Sequence, residues 1–161
     1  MGGSVGQRAF QNARLQKRQK AEVLPMLSHA LQLHKMGLLP EAQAAYRKVL
    51  QLAPNQIVAL HMLGILESDA KNYQQAEILL SRAIAADPRS ADAHMSLGVA
   101  LNGLRRHEEA RASYRKALAL RPDHALTLSN LGNASVALDL HDEALHSYDK
   151  ALALNPNLAE A

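Results

Sequence analysis

The sequence repeats itself every 34 residues over most of its length. The segment YRKALALRP at residues 114–122 returns as YDKALALNP at residues 148–156, and related segments begin at residues 48 and 82. A proline closes each copy of this segment: Pro54, Pro88, Pro122 and Pro156. A period of this length predicts an array of similar units, each of which packs only against its neighbours.

Small and large side chains recur at fixed positions within each unit, counted from residues 23, 57, 91 and 125. The eighth and twentieth positions hold only small residues: Ala30, Gly64, Gly98, Gly132, Ala42, Ala76, Ala110 and Ala144. The twenty-fourth position holds a large residue: Tyr46, Leu80, Tyr114 and Tyr148. Small residues let two helices approach closely, whereas a large residue that is fully buried contributes about 1.5–3 kcal/mol. The proline lacks an N–H group and disfavours helix at the residue before it, so it ends the second helix of each predicted pair.

This pattern resembles that of the tetratricopeptide repeat (TPR) family over residues 23–158. The resemblance implies an all-α fold, a right-handed superhelix (an α-solenoid) of antiparallel helix pairs, with units at residues 23–56, 57–90, 91–124 and 125–158. We expect helices near residues 24–36, 40–52, 57–70, 73–86, 91–103, 107–120, 125–137 and 141–154. The sequence departs from the family at the fourth position of each unit, which is usually a large aromatic residue and here is Met26, Leu60, His94 and Leu128.

The segments that flank the four units differ from them. Residues 1–22 hold five basic side chains against Glu22 alone, so they form a basic N-terminal arm. Three interpretations of the arm remain open: a helical or disordered extension, a helix that docks Phe10 and Leu15 on the repeats or on a neighbour, and a contact with nucleic acid or a membrane. The last has little support, because the arm has one aromatic residue and no second basic stripe accompanies it.

Residues 159–161 match the starts of the earlier units, and we expect them to begin a truncated fifth repeat. Terminal repeats of such arrays normally carry a polar helix that covers the last apolar face. We therefore expect the chain either to belong to a longer protein or to associate with a second copy through its C-terminal end.

The composition is typical of a helical protein. Aromatic residues make up only 3% of the chain, whereas a β-sandwich or barrel relies on aromatic and β-branched residues. The chain has no cysteine, which excludes disulfides, thiolate zinc sites and a cysteine nucleophile. No apolar run reaches the roughly 18 residues that span a bilayer, and no apolar segment follows the basic arm as in a secretory signal. We expect a cytoplasmic protein.

The sequence contains no recognisable catalytic or cofactor motif. None of its eight histidines is followed by another four residues later; His29 and His34 are five apart, as are His141 and His146, which directs each pair to different helix faces. There is no glycine-rich phosphate loop and no GxSxG motif. We expect no cofactor and no metal, and we predict that this chain by itself is not an enzyme.

The resemblance also implies where a partner binds, namely a concave groove lined by the first helix of each pair. The residues at the family's groove positions include Leu27, Leu31, His34, His61, Met62, Ile65, Asp69, Met95, Ser96, Val99, Asn102, Ser129, Asn130, Asn133 and Val136. They lack the Lys and Arg side chains with which chaperone-binding members of the family hold a C-terminal carboxylate, so that role is disfavoured. The segment SNLGN at residues 129–133 is instead similar to the asparagine ladder in the TPR arm of the O-linked N-acetylglucosamine (O-GlcNAc) transferases. In that ladder, amides that both donate and accept hydrogen bonds hold an extended polypeptide.

Two functional hypotheses follow. In the first, the chain is a non-catalytic protein-interaction module that binds a peptide or helix of a partner protein in the groove. In the second, it is the substrate-recruiting arm of a larger enzyme, and a transferase similar to the O-GlcNAc transferases is the leading candidate. Self-association through the C-terminal end is compatible with both hypotheses.

Overall fold

A computed structural model describes the backbone of residues 21–159. These residues form eight α-helices and a short 3-10 helix, and no β-strand occurs among them. The helices are α1 (21–35), α2 (Leu39–Leu52), α3 (Ile57–Asp69), α4 (Tyr73–Ala86), α5 (Ala91–Gly103), α6 (His107–Leu120), α7 (Ala125–Val136) and α8 (His141–Leu154), followed by the 3-10 helix Pro156–Ala159. The all-α fold is thus confirmed, and the helix ends lie within one residue of their predicted positions except that residue 21 is already helical, before the predicted start at 24.

The chain divides into two compact units, one that ends at Ala59 and one that begins at Leu60, within α3. The predicted basic arm falls almost entirely on residues 1–20, and the predicted fifth repeat mostly on residues 160–161, both outside the described residues. The assignment of these segments, and of the four repeat boundaries, stays a prediction.

The turn inside each helix pair has the same backbone in all four pairs. One residue in each turn has a positive φ: Gly37 (75°), Lys71 (63°), Arg105 (61°) and Asp139 (58°). In the third pair, the N–H of Arg105 donates to the carbonyl of Asn102 and the N–H of Arg106 to that of Leu101, each at 2.9 Å. These two bonds satisfy carbonyls that the helix end leaves open, which is how a left-handed residue commonly ends a helix.

The prolines end the second helices as predicted. The residue before each proline is the C-cap of its helix and has an extended backbone, with φ between −131° at Ala53 and −145° at Asn155. Its N–H still donates to the carbonyl four residues earlier, as from Asp87 to Ala83 at 2.9 Å. The restriction that proline places on the preceding residue therefore stops the helix without leaving that N–H unpaired.

In the second unit, each first helix lies closely against the large residue of its own second helix. A Cβ added at Gly64 would lie 2.7 Å from Leu80 Cγ, and one added at Gly132 would lie 2.5 Å from the Tyr148 ring. Gly98 lies equally close to the Tyr114 ring, which is almost fully buried. Each glycine at the eighth position thus meets the large residue at the twenty-fourth position of its own pair.

The core of the third and fourth pairs joins side chains from consecutive pairs. One cluster consists of Leu101, Ala110, Tyr114, Leu131 and Ala134, which come from α5, α6 and α7. His94 occupies the fourth position, where the family usually has an aromatic residue, and it is buried. Its Nε2 donates to the carbonyl of Pro88 at 3.1 Å, so the imidazole fills the site of an aromatic ring without losing its hydrogen bond.

Ion pairs on the second helices connect consecutive pairs. Arg106, which precedes α6, donates from Nη1 to both carboxylate oxygens of Glu77 in α4 at 2.8 Å. Arg111 and Arg115 of α6 both donate to Glu143 of α8, each with a shortest distance of 2.6 Å. Burial alone would raise the pKa of Glu143, but the hydrogen bonds from the two arginines outweigh it and hold the pKa below its ordinary value.

The first unit has its own buried core, formed by Val23, Leu27, Ala30, Ala42, Tyr46 and Val49. His34 lies at its edge, with Nδ1 3.3 Å from the hydroxyl of Tyr46. The two rings meet edge to face, with their centroids 6.1 Å apart and their planes at 76°.

Candidate functional site

A stripe of exposed side chains runs along one face of α7. Leu126 is 49% exposed and Val136 is 47% exposed, Asn133 is also exposed, and Ser129 and Asn130 between them are half-buried. These residues are three or four positions apart, so they lie on one side of the helix. The stripe is apolar at its two ends and polar in the middle, a mixture that suits a binding surface for a polypeptide.

The other predicted groove residues of the second unit differ in how much surface they offer. On α5, Val99 is 38% exposed while Met95 and Asn102 are half-buried. Ser96, however, is only 6% exposed, so it has almost no surface for a ligand. On α3, the predicted residues are exposed or half-buried: Asp69, His61, Met62 and Ile65.

The three predicted groove residues of the first unit are also unequal. Leu27 is buried in the core of that unit, whereas Leu31 is 39% exposed. His34 is half-buried and contacts Tyr46, as described above. Only Leu31 therefore presents a largely accessible side chain.

A polar chain links the first helices α3 and α5. His61 Nε2 lies 3.1 Å from the Ser96 hydroxyl, so this buried hydroxyl has a hydrogen-bond partner inside the protein. Burial lowers the pKa of His61, and the nearby Asp92 only partly opposes this shift. Asp92 is held in turn by two hydrogen bonds from Arg121, at 2.9 and 3.1 Å, which are the main reason that its pKa lies below the ordinary value. These groups thus satisfy one another within the protein.

Two of the predicted groove asparagines accept a hydrogen bond from the second helix of their own pair. Asn133 Oδ1 accepts a hydrogen bond from the Tyr148 hydroxyl at 2.7 Å. Asn102 Oδ1 lies 2.6 Å from His107 Nδ1, and because an amide oxygen only accepts, this ring nitrogen carries the hydrogen. In both cases the amide nitrogen keeps its two N–H donors.

Sequence reasoning missed the contacts of His107 and Tyr148 with Asn102 and Asn133. It placed Tyr148 at a packing position and His107 among the structural histidines. The sequence offers little signal for the contact between His107 and Asn102. In the next repeat the corresponding residues are His141 and Val136, and valine has no side-chain acceptor. Both contacts depend on where the second helix lies against the first.

Within residues 21–159, no group of three or more His, Asp or Glu side chains is arranged to hold a metal ion. In the same range, no helix combines the length and the apolar character needed to cross a bilayer.

Comparison with known proteins points to one family. A model described as tetratricopeptide repeat matches residues 61–125, and a second model with the same description matches residues 125–158. Together the two matches cover more than half of the chain.

Solved structures with the same fold include several of the protein MamA. A crystal structure of MamA is 27% identical to this chain, with a TM-score of 0.77, and the alignment covers 91% of this chain and 88% of MamA. MamA from Desulfovibrio magneticus RS-1, from residue 41 to its end, is 25% identical with a TM-score of 0.77, and the alignment covers 95% of this chain and 92% of that one. No curated protein sequence matches the chain.

Proposed function

The chain belongs to the tetratricopeptide repeat family, and on this basis we propose that it is a non-catalytic protein-interaction module. It binds a peptide or helix of a partner protein along the first helices of its repeats. The observation that carries this proposal is the stripe on α7, where exposed Leu126 and Val136 flank Asn130 and Asn133. Apolar side chains supply contact area there, and the amides supply hydrogen bonds that orient the bound chain. We also propose a cytoplasmic location, which cell fractionation would test.

The first test is a selection of binding peptides from a random display library, followed by affinity measurements with variants. We expect Asn130→Lys combined with Asn133→Lys to weaken binding of the selected peptides at least tenfold, because two large cations then occupy the stripe. The matched control is Gln74→Lys combined with Gln75→Lys on the exposed surface of the second helix α4. If both double variants weaken binding equally, the stripe is not the binding surface.

A second candidate function is that of a substrate-recruiting arm of a larger, O-GlcNAc-transferase-like enzyme. It is favoured by Asn130 and Asn133, which lie on one face of α7, as required for a ladder of amides. The mass of the native gene product in its source cells separates the two hypotheses. A product close to the 17.5 kDa of this chain contradicts the second hypothesis, and a much larger product with a catalytic domain supports it.

We further propose that two copies of the chain associate through α8. Leu145 is 63% exposed and Leu152, seven residues later on the same face, is 38% exposed. Leucine side chains that are open to water on one helix face supply the apolar area on which association depends.

A further inference from the structure

The amide oxygens of Asn102 and Asn133 are already engaged inside the protein, which changes what the groove offers to a partner. Tyr148 donates to Asn133 Oδ1 at 2.7 Å, and His107 donates to Asn102 Oδ1 at 2.6 Å. An asparagine in water presents both donors and acceptors. A side chain whose oxygen accepts a hydrogen bond from the adjacent helix has a fixed orientation. The groups that remain for a ligand are then mainly the N–H donors.

The charges of the groove helices limit which acceptors suit these donors. Helices α3, α5 and α7 contain no lysine or arginine, and their only charged residues are Glu67, Asp69 and Asp92. A partner carboxylate would therefore lose its hydration and meet no cation of these helices. A neutral carbonyl oxygen carries no such penalty, since its hydrogen bond to water is exchanged for one to an amide.

The apolar residues beside the donors indicate the form of the partner. Val99 lies three positions before Asn102, and Val136 three positions after Asn133, and both valines are exposed. Backbone carbonyls are free to accept hydrogen bonds in an extended or polyproline II segment but not in the interior of a helix, where they are already paired. Uncharged apolar side chains of such a segment would contact the valines.

We infer that His107 and Tyr148 are positioning residues that turn the N–H donors of Asn102 and Asn133 outward, and that the groove takes an extended polypeptide segment without acidic side chains through its backbone carbonyl oxygens. This inference rests on the proposed function and specifies the partner. At Asn133 it replaces the amide suggested by the sequence, which both donates and accepts hydrogen bonds, with one that mainly donates them.

The first arm of the test uses Tyr148→Phe, which removes the hydroxyl and keeps the ring that packs on Gly132. The probe is a fluorescein-labelled peptide of alternating proline and valine. We expect Tyr148→Phe to weaken its binding about threefold to tenfold, the effect of one hydrogen bond. The matched control is Tyr114→Phe in the third repeat. The residue of that repeat that corresponds to Asn133 is Val99, which has no amide to position. An equal loss in both variants would show that tyrosine acts only through packing and would overturn the positioning role.

The second arm changes the peptide. N-methylation of its valines removes the remaining N–H donors, and we expect the affinity to be retained; thioamides in place of the valine carbonyls weaken the acceptors, and we expect the affinity to fall. A loss on N-methylation, tighter binding of a version with glutamate in place of valine, or no saturable binding of the neutral peptide would each overturn the inference. NMR of His107 gives a readout independent of affinity: a neutral ring with its hydrogen on Nε2 instead of Nδ1 would also overturn it.

The peptide-display selection separates failure of this inference from failure of the proposed function. Peptides that bind the α7 stripe but lose affinity on N-methylation contradict only the donor surface. A failure to select any peptide for this stripe contradicts the proposed function itself.

Discussion

Gly98 and Gly132 show how strongly a single position is constrained in this protein. Both face a tyrosine ring of the second helix, but the two rings differ in their freedom to move. Tyr114 is 1% exposed and is enclosed by side chains from three helices, whereas Tyr148 is half-buried. Burial also raises the pKa of Tyr114 well above its ordinary value, which reflects the same lack of access to water.

We predict that Gly98→Ala lowers the free energy of unfolding by about 1–3 kcal/mol, because its Cβ collides with a ring that has no space to move into. In Gly132→Ala, Tyr148 can shift toward solvent, and the roughly 1 kcal/mol by which alanine is favoured over glycine in a helix offsets much of the cost. Urea denaturation of both variants measures the difference. If Gly132→Ala is the more destabilising of the two, the argument from ring confinement is wrong.

The turns between the helices of each pair carry strain that sequence patterns do not reveal. All four turns place one residue in the left-handed region, yet only the first turn uses glycine, at Gly37. A side chain costs roughly 1–2 kcal/mol in this conformation. At Lys71 and Arg105 the two hydrogen bonds that the turn forms at the end of the preceding helix offset this steric cost.

We predict that Arg105→Gly raises the free energy of unfolding by about 0.5–1 kcal/mol, since glycine adopts the left-handed conformation without steric cost but loses more entropy on folding. Arg105→Ala serves as the control, because it removes the same charge and side chain but keeps the strain. Thermal and urea denaturation should show stabilisation only in the glycine variant. Equal stabilisation by alanine would attribute the effect to the loss of the arginine charge instead.

Contacts between helix pairs depend on different chemistry from the proposed contact between two copies. Within the second unit, consecutive pairs are joined by apolar clusters and by the arginine–glutamate pairs of α4, α6 and α8. On α8, in contrast, Leu145 and Leu152 remain open to solvent. Association of two copies through this face would bury both side chains and gain about 25 cal/mol for each Å² of apolar area removed from water.

We predict that the wild-type chain has the mass of a dimer in sedimentation equilibrium, and that Leu145→Glu combined with Leu152→Glu converts it to a monomer, because association would then bury two carboxylates. The control is Ile78→Glu on α4, where the isoleucine is 54% exposed. A monomeric wild type contradicts self-association. Dissociation by Ile78→Glu as well would show that α8 is not the interface.

Most of the fold could be predicted because its determinants are local and repeated. The prolines, the small residues and the large residue at the twenty-fourth position specify where each helix ends and which helix it contacts, and four copies reinforce each signal. The binding-site residues could be predicted less completely than the fold. Exposure of Asn133 and Val136 follows from helix periodicity, but the burial of Ser96 does not, because it depends on the packing of the preceding pair, in which His61 meets the Ser96 hydroxyl.

A period of 34 residues with a proline in each copy allows few arrangements other than a series of helix pairs, so this feature could be predicted from the sequence alone. Which polar atoms of those pairs are already hydrogen-bonded inside the protein follows only from the packing of the helices. Whether Asn102 and Asn133 donate or accept depends on where His107 and Tyr148 lie in space. Hydrogen bonds require atoms within about 3 Å in a suitable direction, and only the packing of one helix on the next sets that geometry.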